Sequence, residues 1–274
     1  MPIEDKSFLS KKSSDMPPSQ KEQEDEKKFV AGGKSMGLLD HLNELRQRLI
    51  VSLLVITITC LISFFFSSSL ILFLKNPLIN ALPTELEVLH FTGPMEVFLA
   101  SLRVSFFSGL ILSSPVWFYQ FWKFLEPALY ESERKYILPF VIASVLLFFL
   151  GILFSFYVII PMTLKFLIEL GSEIGKPIIT VSDYLSLLTV MILGFGFVFE
   201  APLLLVMLSS LGLMSAKDLA QSRRYVVIII LIISAILTPP DPLSQIGMSV
   251  PLYIMYEISI VVIRFLESRK QKTS

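Results

Sequence analysis

The sequence has 274 residues, of which 54% are hydrophobic and 17% are charged, and its mean hydropathy is +0.72. This composition excludes an ordinary soluble globular domain and indicates a protein whose solvent is a lipid bilayer. The 23 basic and 23 acidic residues balance, so the net charge gives no indication of a nucleic-acid partner.

The first 36 residues form a polar tail rich in Lys, Glu, Ser and Asp. Such a segment has too little apolar surface to fold, and we predict that it is disordered and cytoplasmic. Acids are as frequent as bases in it, and no short apolar core with a small-residue cleavage site follows. It is therefore typical of neither a transit peptide nor a signal peptide. We predict a membrane domain over residues 37–266 and a cytoplasmic tail over residues 267–274.

Six long apolar stretches follow the tail, and each predicts a transmembrane helix in an all-α integral membrane protein. A hydrocarbon core of about 30 Å needs about 20 helical residues, a length that the first four stretches reach and the last two do not. The short fifth stretch suggests the hypothesis that the bilayer is thinned beside it. The predicted spans are Leu49–Leu70, Val97–Trp117, Tyr136–Val158, Leu185–Leu208, Tyr225–Leu237 and Ile246–Ile263.

The distribution of Lys and Arg predicts the orientation of these spans. Both termini, the second loop and the fourth loop together hold 19 basic residues, whereas the other loops hold three. Basic residues accumulate on the cytoplasmic side, so both termini are predicted to be cytoplasmic. Arg103 lies inside the second span, where its stem can extend toward the outer surface. At the other end of that span, Trp117, Tyr119 and Trp122 are typical of an aromatic belt at the membrane surface.

Glu200 lies within the fourth apolar stretch, and we expect it to be the single carboxylate at membrane depth. An ionised carboxylate in hydrocarbon is energetically costly, so such a residue normally faces the bundle interior, a wet cavity or a partner. Glu200 is thus a candidate functional residue.

Few other residues indicate chemistry. Cys60 is interpreted as a small buried hydrophobe. His41 and His90 have no second plausible ligand nearby, so we expect neither a metal site nor a cofactor. The motifs of zinc proteases, P-loop nucleotide-binding proteins and serine hydrolases do not occur in the sequence, which argues against an enzyme. Gly194 and Gly196 predict a close contact between helices.

Two carboxylates lie at predicted helix starts on the cytoplasmic side. Glu44 lies in an amphipathic segment before the first span, four residues before Arg48, with which it can form an ordinary helix pair. Ser132 is a candidate cap for the third span, which places Glu133 in the first helical turn. Because arginine binds carboxylates through two parallel hydrogen bonds, the two sites together suit a ligand with paired guanidinium groups.

These residues resemble the TatC family, the multi-spanning subunit of the twin-arginine protein translocase, and the resemblance extends over Met36–Leu266. Five motifs occur in order, at matching places in the predicted topology. They are His41-Leu-Asn-Glu-Leu-Arg-Gln-Arg48, Asn76-Pro77-Leu78, Pro127-Ala-Leu-Tyr-Glu-Ser-Glu-Arg134, Phe199-Glu200-Ala-Pro202 and Leu237-Thr-Pro-Pro-Asp241-Pro-Leu-Ser-Gln245.

The resemblance implies a receptor whose six helices form a concave, glove-like bundle. Such a receptor binds the twin-arginine signal peptides of folded precursors. With the single-span partners TatA and TatB, or one TatA-like subunit, it exports them by means of the proton-motive force. It also implies a homo-oligomer within a receptor complex in the bacterial inner (plasma) membrane or, alternatively, the plastid thylakoid membrane.

By motif position, the resemblance assigns the arginine pair to Glu44 and Glu133, with Arg46 and Phe124 lining the same surface. Glu131 stands where the family often has a basic residue, so it shares the cationic ligand with Glu133 or competes for it.

The same resemblance places Glu200 inside the concave face. Thr238 and Gln245 are assigned to an edge that meets a polar residue in a partner's helix, and Pro77 and Asp241 are expected to shape the outer loops.

Two other functions are compatible with six spans. A secondary transporter for a small solute explains a buried acid, although no internal repeat supports it, and transport by the purified protein alone would distinguish it. An intramembrane enzyme needs a catalytic partner for Glu200. Both alternatives leave the cytoplasmic carboxylates unexplained.

Overall fold

The computed structural model describes residues 38–81, 89–126, 137–172, 175, 178–238 and 242–273. The chain divides into two units after Arg46, and the packing below concerns the second unit. The described elements are α1 (Leu38–Phe65), α2 (Ser67–Leu74), α3 (Asn76–Ala81), α4 (Pro94–Leu112), α5 (Ser114–Leu125), α6 (Ile137–Phe154), a π-helical turn (Ser155–Ile159), α7 (Ile160–Ser172), α8 (Val181–Val198), α9 (Ala201–Ser210), α10 (Ala216–Leu237) and α11 (Pro242–Thr273).

Within the residues that the structure describes, six helical segments are long and apolar enough to cross a membrane, as many as the sequence predicts. Each carries the apolar surface that a lipid environment requires, and their backbone groups are bonded within the helices, as hydrocarbon demands. The segments are His41–Phe65, Pro94–Leu112, Ile137–Gly171, Val181–Ser210, Ala216–Leu237 and Ser244–Ser268.

The prediction that the last two spans are shorter than the bilayer is wrong, because these segments contain 22 and 25 residues. Helix α10 begins at Ala216, well before the apolar stretch, because Ser215 and Asp218 form a reciprocal capping box. At 1.5 Å per residue, its 22 residues rise about 33 Å. The thinning hypothesis therefore loses its structural premise.

Prolines follow three irregular places in the described helices. Pro115 and Pro202 each follow a break, at Ser113 between α4 and α5 and at Phe199–Glu200 between α8 and α9. Pro161 follows the π-helical turn within the third span. Since proline has no N–H to bond the carbonyl four residues earlier, the chain turns or widens at each place.

Glycines allow the third and fourth spans to approach closely. A Cβ added at Gly151 would lie 2.6 Å from the Phe195 carbonyl oxygen, and one at Gly196 would lie 2.7 Å from the Phe148 ring. A Cβ at Gly194 would lie 2.6 Å from Leu237 of α10. The prediction of close helix contacts at Gly194 and Gly196 is confirmed.

We expect Gly151→Ala to destabilise the protein by about 1–3 kcal/mol, because the added methyl group meets backbone and forces α6 and α8 apart. Gly171→Ala is the matched control in the same span, since a Cβ there meets nothing within 4 Å. The midpoint of thermal unfolding in detergent, followed by gel filtration, measures both variants. Equal midpoints would show that α6 and α8 separate without cost.

Polar contacts fasten the second span to the start of the fourth. The Glu96 carboxylate accepts hydrogen bonds from Thr92 and from the Ser182 N–H, the latter at 2.8 Å. The Arg103 guanidinium donates to the Ser182 carbonyl at 3.3 Å and to the Ser186 hydroxyl. The partly buried Arg103 side chain, expected to extend toward the outer surface, is thus bound by α8.

Candidate functional site

Three of the five residues assigned to the arginine pair lie within the described part of the chain. Glu44 and Arg46 lie on α1, where Glu44 Oε2 is 3.8 Å from His41 Nδ1. Phe124 is half-buried near the end of α5. Glu131 and Glu133 lie outside the described residues, as does Ser132, so their proposed roles stay predictions.

A contact that the sequence did not predict joins α1 to α5. Arg48, which was expected to pair with Glu44, donates from Nη1 to Gln120 Oε1 at 3.2 Å. Gln120 lies one helical turn before Phe124 on α5. Because the two partners are 72 residues apart, no local pattern could reveal this contact.

Glu200 lies at the break of the fourth span, between α8 and α9. Its N–H bonds the Phe197 carbonyl at 3.1 Å, and its own carbonyl accepts from the Leu204 N–H at 3.1 Å, so the backbone turns tightly here. Its side chain is only 6% exposed, and its Oε1 atom has no hydrogen-bond partner among the described residues. A buried oxygen without a partner is costly, which marks Glu200 as a candidate contact for another molecule.

The hydroxyl of Ser144 on α6 lies next to the Glu200 carboxyl group. The same hydroxyl accepts a hydrogen bond of 2.7 Å from Trp122 Nε1 on α5. Trp122 is 2% exposed, so its ring packs inside the protein. The hydrogen bond between Trp122 and Ser144 joins α5 to α6 beside Glu200.

The predicted partner edge lies where α10 ends and α11 begins. Thr238 is buried and donates to the Ser234 carbonyl at 2.8 Å, and Gln245 Nε2 donates to the Leu231 carbonyl at 3.2 Å. Thr238 and Gln245 are thus held by α10, at the end of the α10–α11 hairpin. Asp241 lies outside the described residues.

Pro77, the other residue expected to shape an outer loop, is buried in the short helix α3. The next residue, Leu78, is fully buried in the largest hydrophobic cluster. This packing holds α3 against the rest of the protein. The role of Pro77 in shaping an outer loop stays a prediction.

The expectation that Glu200 is the single carboxylate at membrane depth is wrong, because Glu257 lies within the sixth span. Arg223 of the fifth span donates to it from Nε at 2.7 Å and from Nη2 at 2.8 Å. Tyr253 donates its hydroxyl to Glu257 Oε1 at 3.0 Å. The sequence did contain a signal for this site, because Glu257 is an acidic residue inside the sixth apolar stretch. Its partner Arg223 is a basic residue two turns into α10.

Comparison with known proteins identifies the family. The profile of the family described as Sec-independent protein translocase protein (TatC) matches residues 40–251. This chain belongs to the TatC family. The TatC protein of Aquifex aeolicus is 38% identical over 86% of this chain and 98% of its own length. That of Desulforapulum autotrophicum is 38% identical over 84% of this chain and 85% of its own length.

Solved structures lead to the same family. A crystal structure of the twin-arginine translocase receptor TatC matches with a TM-score of 0.72 and 35% identity, over 82% of this chain and 98% of that one. A second, in DDM, matches with a TM-score of 0.73 and 38% identity, over 81% and 99%. The fold is therefore that of TatC, and the chain is a core subunit of a protein translocase rather than a member of a known enzyme family.

Proposed function

We propose that this chain is the translocase receptor that binds the twin-arginine signal peptides of folded precursors. The observation that carries the proposal is the likeness to TatC receptor structures over about four-fifths of the chain. The proposal is supported by the presence of Glu44 and Glu133, the two carboxylates that the resemblance assigns to the arginine pair.

The chemistry of the ligand suits these carboxylates. A guanidinium group is planar and always charged, and it presents paired N–H donors that match the two oxygens of a carboxylate. Glu44 and Glu133 then each receive one arginine, and Glu131 adds negative charge beside Glu133. Arg46 and Phe124 line the same surface, where Phe124 contacts apolar parts of the peptide.

Partner subunits are proposed to bind at the membrane-embedded polar groups. Glu200 Oε1 has no hydrogen-bond partner in the described part of the chain. In hydrocarbon, a polar side chain is stabilised by a hydrogen bond to a neighbouring helix. Thr238 and Gln245 provide a second polar edge. We assign these groups to the single-span helices of TatA and TatB, or of one TatA-like subunit, in a complex that holds several copies of this chain.

The proposal includes the orientation of the chain in the membrane and the source of energy for export. The excess of Lys and Arg in both tails and in the second and fourth loops supports cytoplasmic termini. The receptor complex then resides in the bacterial inner membrane, or alternatively in a thylakoid membrane, and the proton-motive force drives export.

Replacing both arginines of a signal peptide by lysines tests the receptor function. We expect binding to weaken at least roughly tenfold, because an ammonium group cannot form two parallel hydrogen bonds with one carboxylate. Fluorescence anisotropy of a labelled peptide with the purified protein measures the affinity, and a peptide with both arginines moved out of the motif is the control. Equal retention of the twin-lysine and twin-arginine peptides would contradict the proposal.

A further inference from the structure

Polar contacts join α10 to α11 near both ends of α10. Near its start, Tyr256 donates to the Leu219 carbonyl at 2.6 Å, and Arg223 pairs with Glu257. Near its end, the hydroxyls of Ser234 and Ser249 are 3.0 Å apart, and Gln245 donates to the Leu231 carbonyl. The two helices therefore form an antiparallel hairpin with polar groups at intervals along the seam.

The contact between Arg223 and Glu257 differs from the others in its geometry. Two hydrogen bonds of 2.7 and 2.8 Å join two guanidinium nitrogens to the two carboxylate oxygens, and Tyr253 donates a third to one of these oxygens. A shift of one residue along a helix moves a group about 1.5 Å, which would break such a pair. A hydroxyl contact tolerates the same shift better, because the hydroxyl rotates.

The surface around the pair is apolar, with Val227, Val250 and Ile254 exposed beside it. Apolar contacts are non-directional and leave the relative height of two helices weakly defined, whereas a hydrogen-bonded charge pair defines it. We propose that Arg223 and Glu257, together with Tyr253, set the register of α10 against α11 and thereby position Thr238 and Gln245 at the other end of the hairpin.

This proposal rests on the proposed function in one respect, namely that Thr238 and Gln245 meet a partner helix. Gln245 and Glu257 are 12 residues apart on α11, about 18 Å at the helical rise. The charge pair therefore acts as a positioning element at a distance from the edge.

Disulfide formation between the two helices measures the register directly. Ser234→Cys and Ser249→Cys place two thiols at the positions of hydroxyls that are 3.0 Å apart, in a chain whose native thiol is removed by Cys60→Ser. We expect Glu257→Gln to slow the formation of this disulfide at least roughly threefold, because an interhelical contact in the membrane is lost. Glu169→Gln, at the exposed Lys165–Glu169 pair of α7, is the matched control and leaves the rate unchanged.

The exchange of both charges, in Arg223→Glu with Glu257→Arg, decides between pairing and a general effect on folding. We expect the exchanged chain to regain the rate of the parent, and the single reversals to remain slow. A Glu257→Gln rate equal to the control, or an exchanged chain that stays slow, would overturn the proposal.

A second readout separates the register from the partner edge. A photoreactive residue at position 245 captures a partner helix in membranes that contain the whole translocase, and Glu257→Gln is expected to lower this capture in proportion to the disulfide rate. If the disulfide slows and capture does not change, the register assignment stands and the proposed partner edge fails. If neither changes, the register assignment itself is wrong.

Discussion

Glu44→Gln combined with Glu133→Gln is expected to abolish the binding of twin-arginine signal peptides at micromolar concentrations. Glutamine keeps the shape of glutamate and removes its charge, so each substitution replaces a charge-assisted pair of hydrogen bonds by a neutral contact. Losing one partner of such a pair costs about 2 kcal/mol or more, which corresponds to roughly 30-fold in Kd. The two losses of binding free energy add together, so no binding is expected to be detectable at micromolar peptide concentrations.

Titration calorimetry with a synthetic signal peptide measures this effect, and each single variant shows the contribution of one carboxylate. Glu126→Gln is the matched control, because Glu126 lies in the second loop just before the Pro127–Arg134 motif and pairs with Lys123 at 2.6 Å. It removes a neighbouring negative charge without touching the motif. Unchanged binding by the double variant, or an equal loss in the control, would remove the basis for assigning the arginine pair to Glu44 and Glu133.

Glu200→Leu is expected to stop export while it leaves the protein as stable as before or more stable. Glu200 is buried and keeps one oxygen without a hydrogen-bond partner among the described residues, an arrangement that costs about 1–3 kcal/mol. An apolar side chain of similar volume relieves that cost and removes the polar contact for a partner helix. Function and stability then change in opposite directions, as at sites that are maintained for function.

The export of a folded precursor in cells that depend on the variant measures function, and the midpoint of thermal unfolding measures stability. Ser144→Ala is the comparison, because it removes the acceptor of the Trp122 N–H and is expected to destabilise the protein. A marked fall in the unfolding midpoint of Glu200→Leu would show that Glu200 serves the fold. Normal export by Glu200→Leu would remove its proposed partner role.

The number of spans was predictable because an apolar run long enough to cross a bilayer is a local property of the sequence. The start of α10 was not predictable in this way, because the charged residues Lys217 and Arg223 are typical of a loop. In the structure, Ser215 caps a helix there, and Arg223 forms an ion pair with Glu257. Charge that is paired across helices can remain in a span, and hydropathy alone does not show the pairing.

The site was predictable to the extent that it consists of short motifs. Glu200 was recognised from its place in the fourth span, but its neighbour Ser144 lies on α6, and Trp122, which donates to Ser144, lies on α5. Neither belongs to a motif, and a serine in an apolar helix ordinarily bonds its own backbone. Contacts between spans depend on how the helices pack, which a single sequence does not reveal.

Helix α11 has 32 residues and rises about 48 Å, well beyond the hydrocarbon thickness of about 30 Å. Glu267 near its end accepts a hydrogen bond of 2.9 Å from the Ala216 N–H at the start of α10. A fluorophore or protease site attached at Thr273 would therefore lie on the same helix, five residues beyond the apolar segment that ends at Ser268. Its accessibility from one side of a sealed vesicle would reveal directly which compartment the C-terminus occupies.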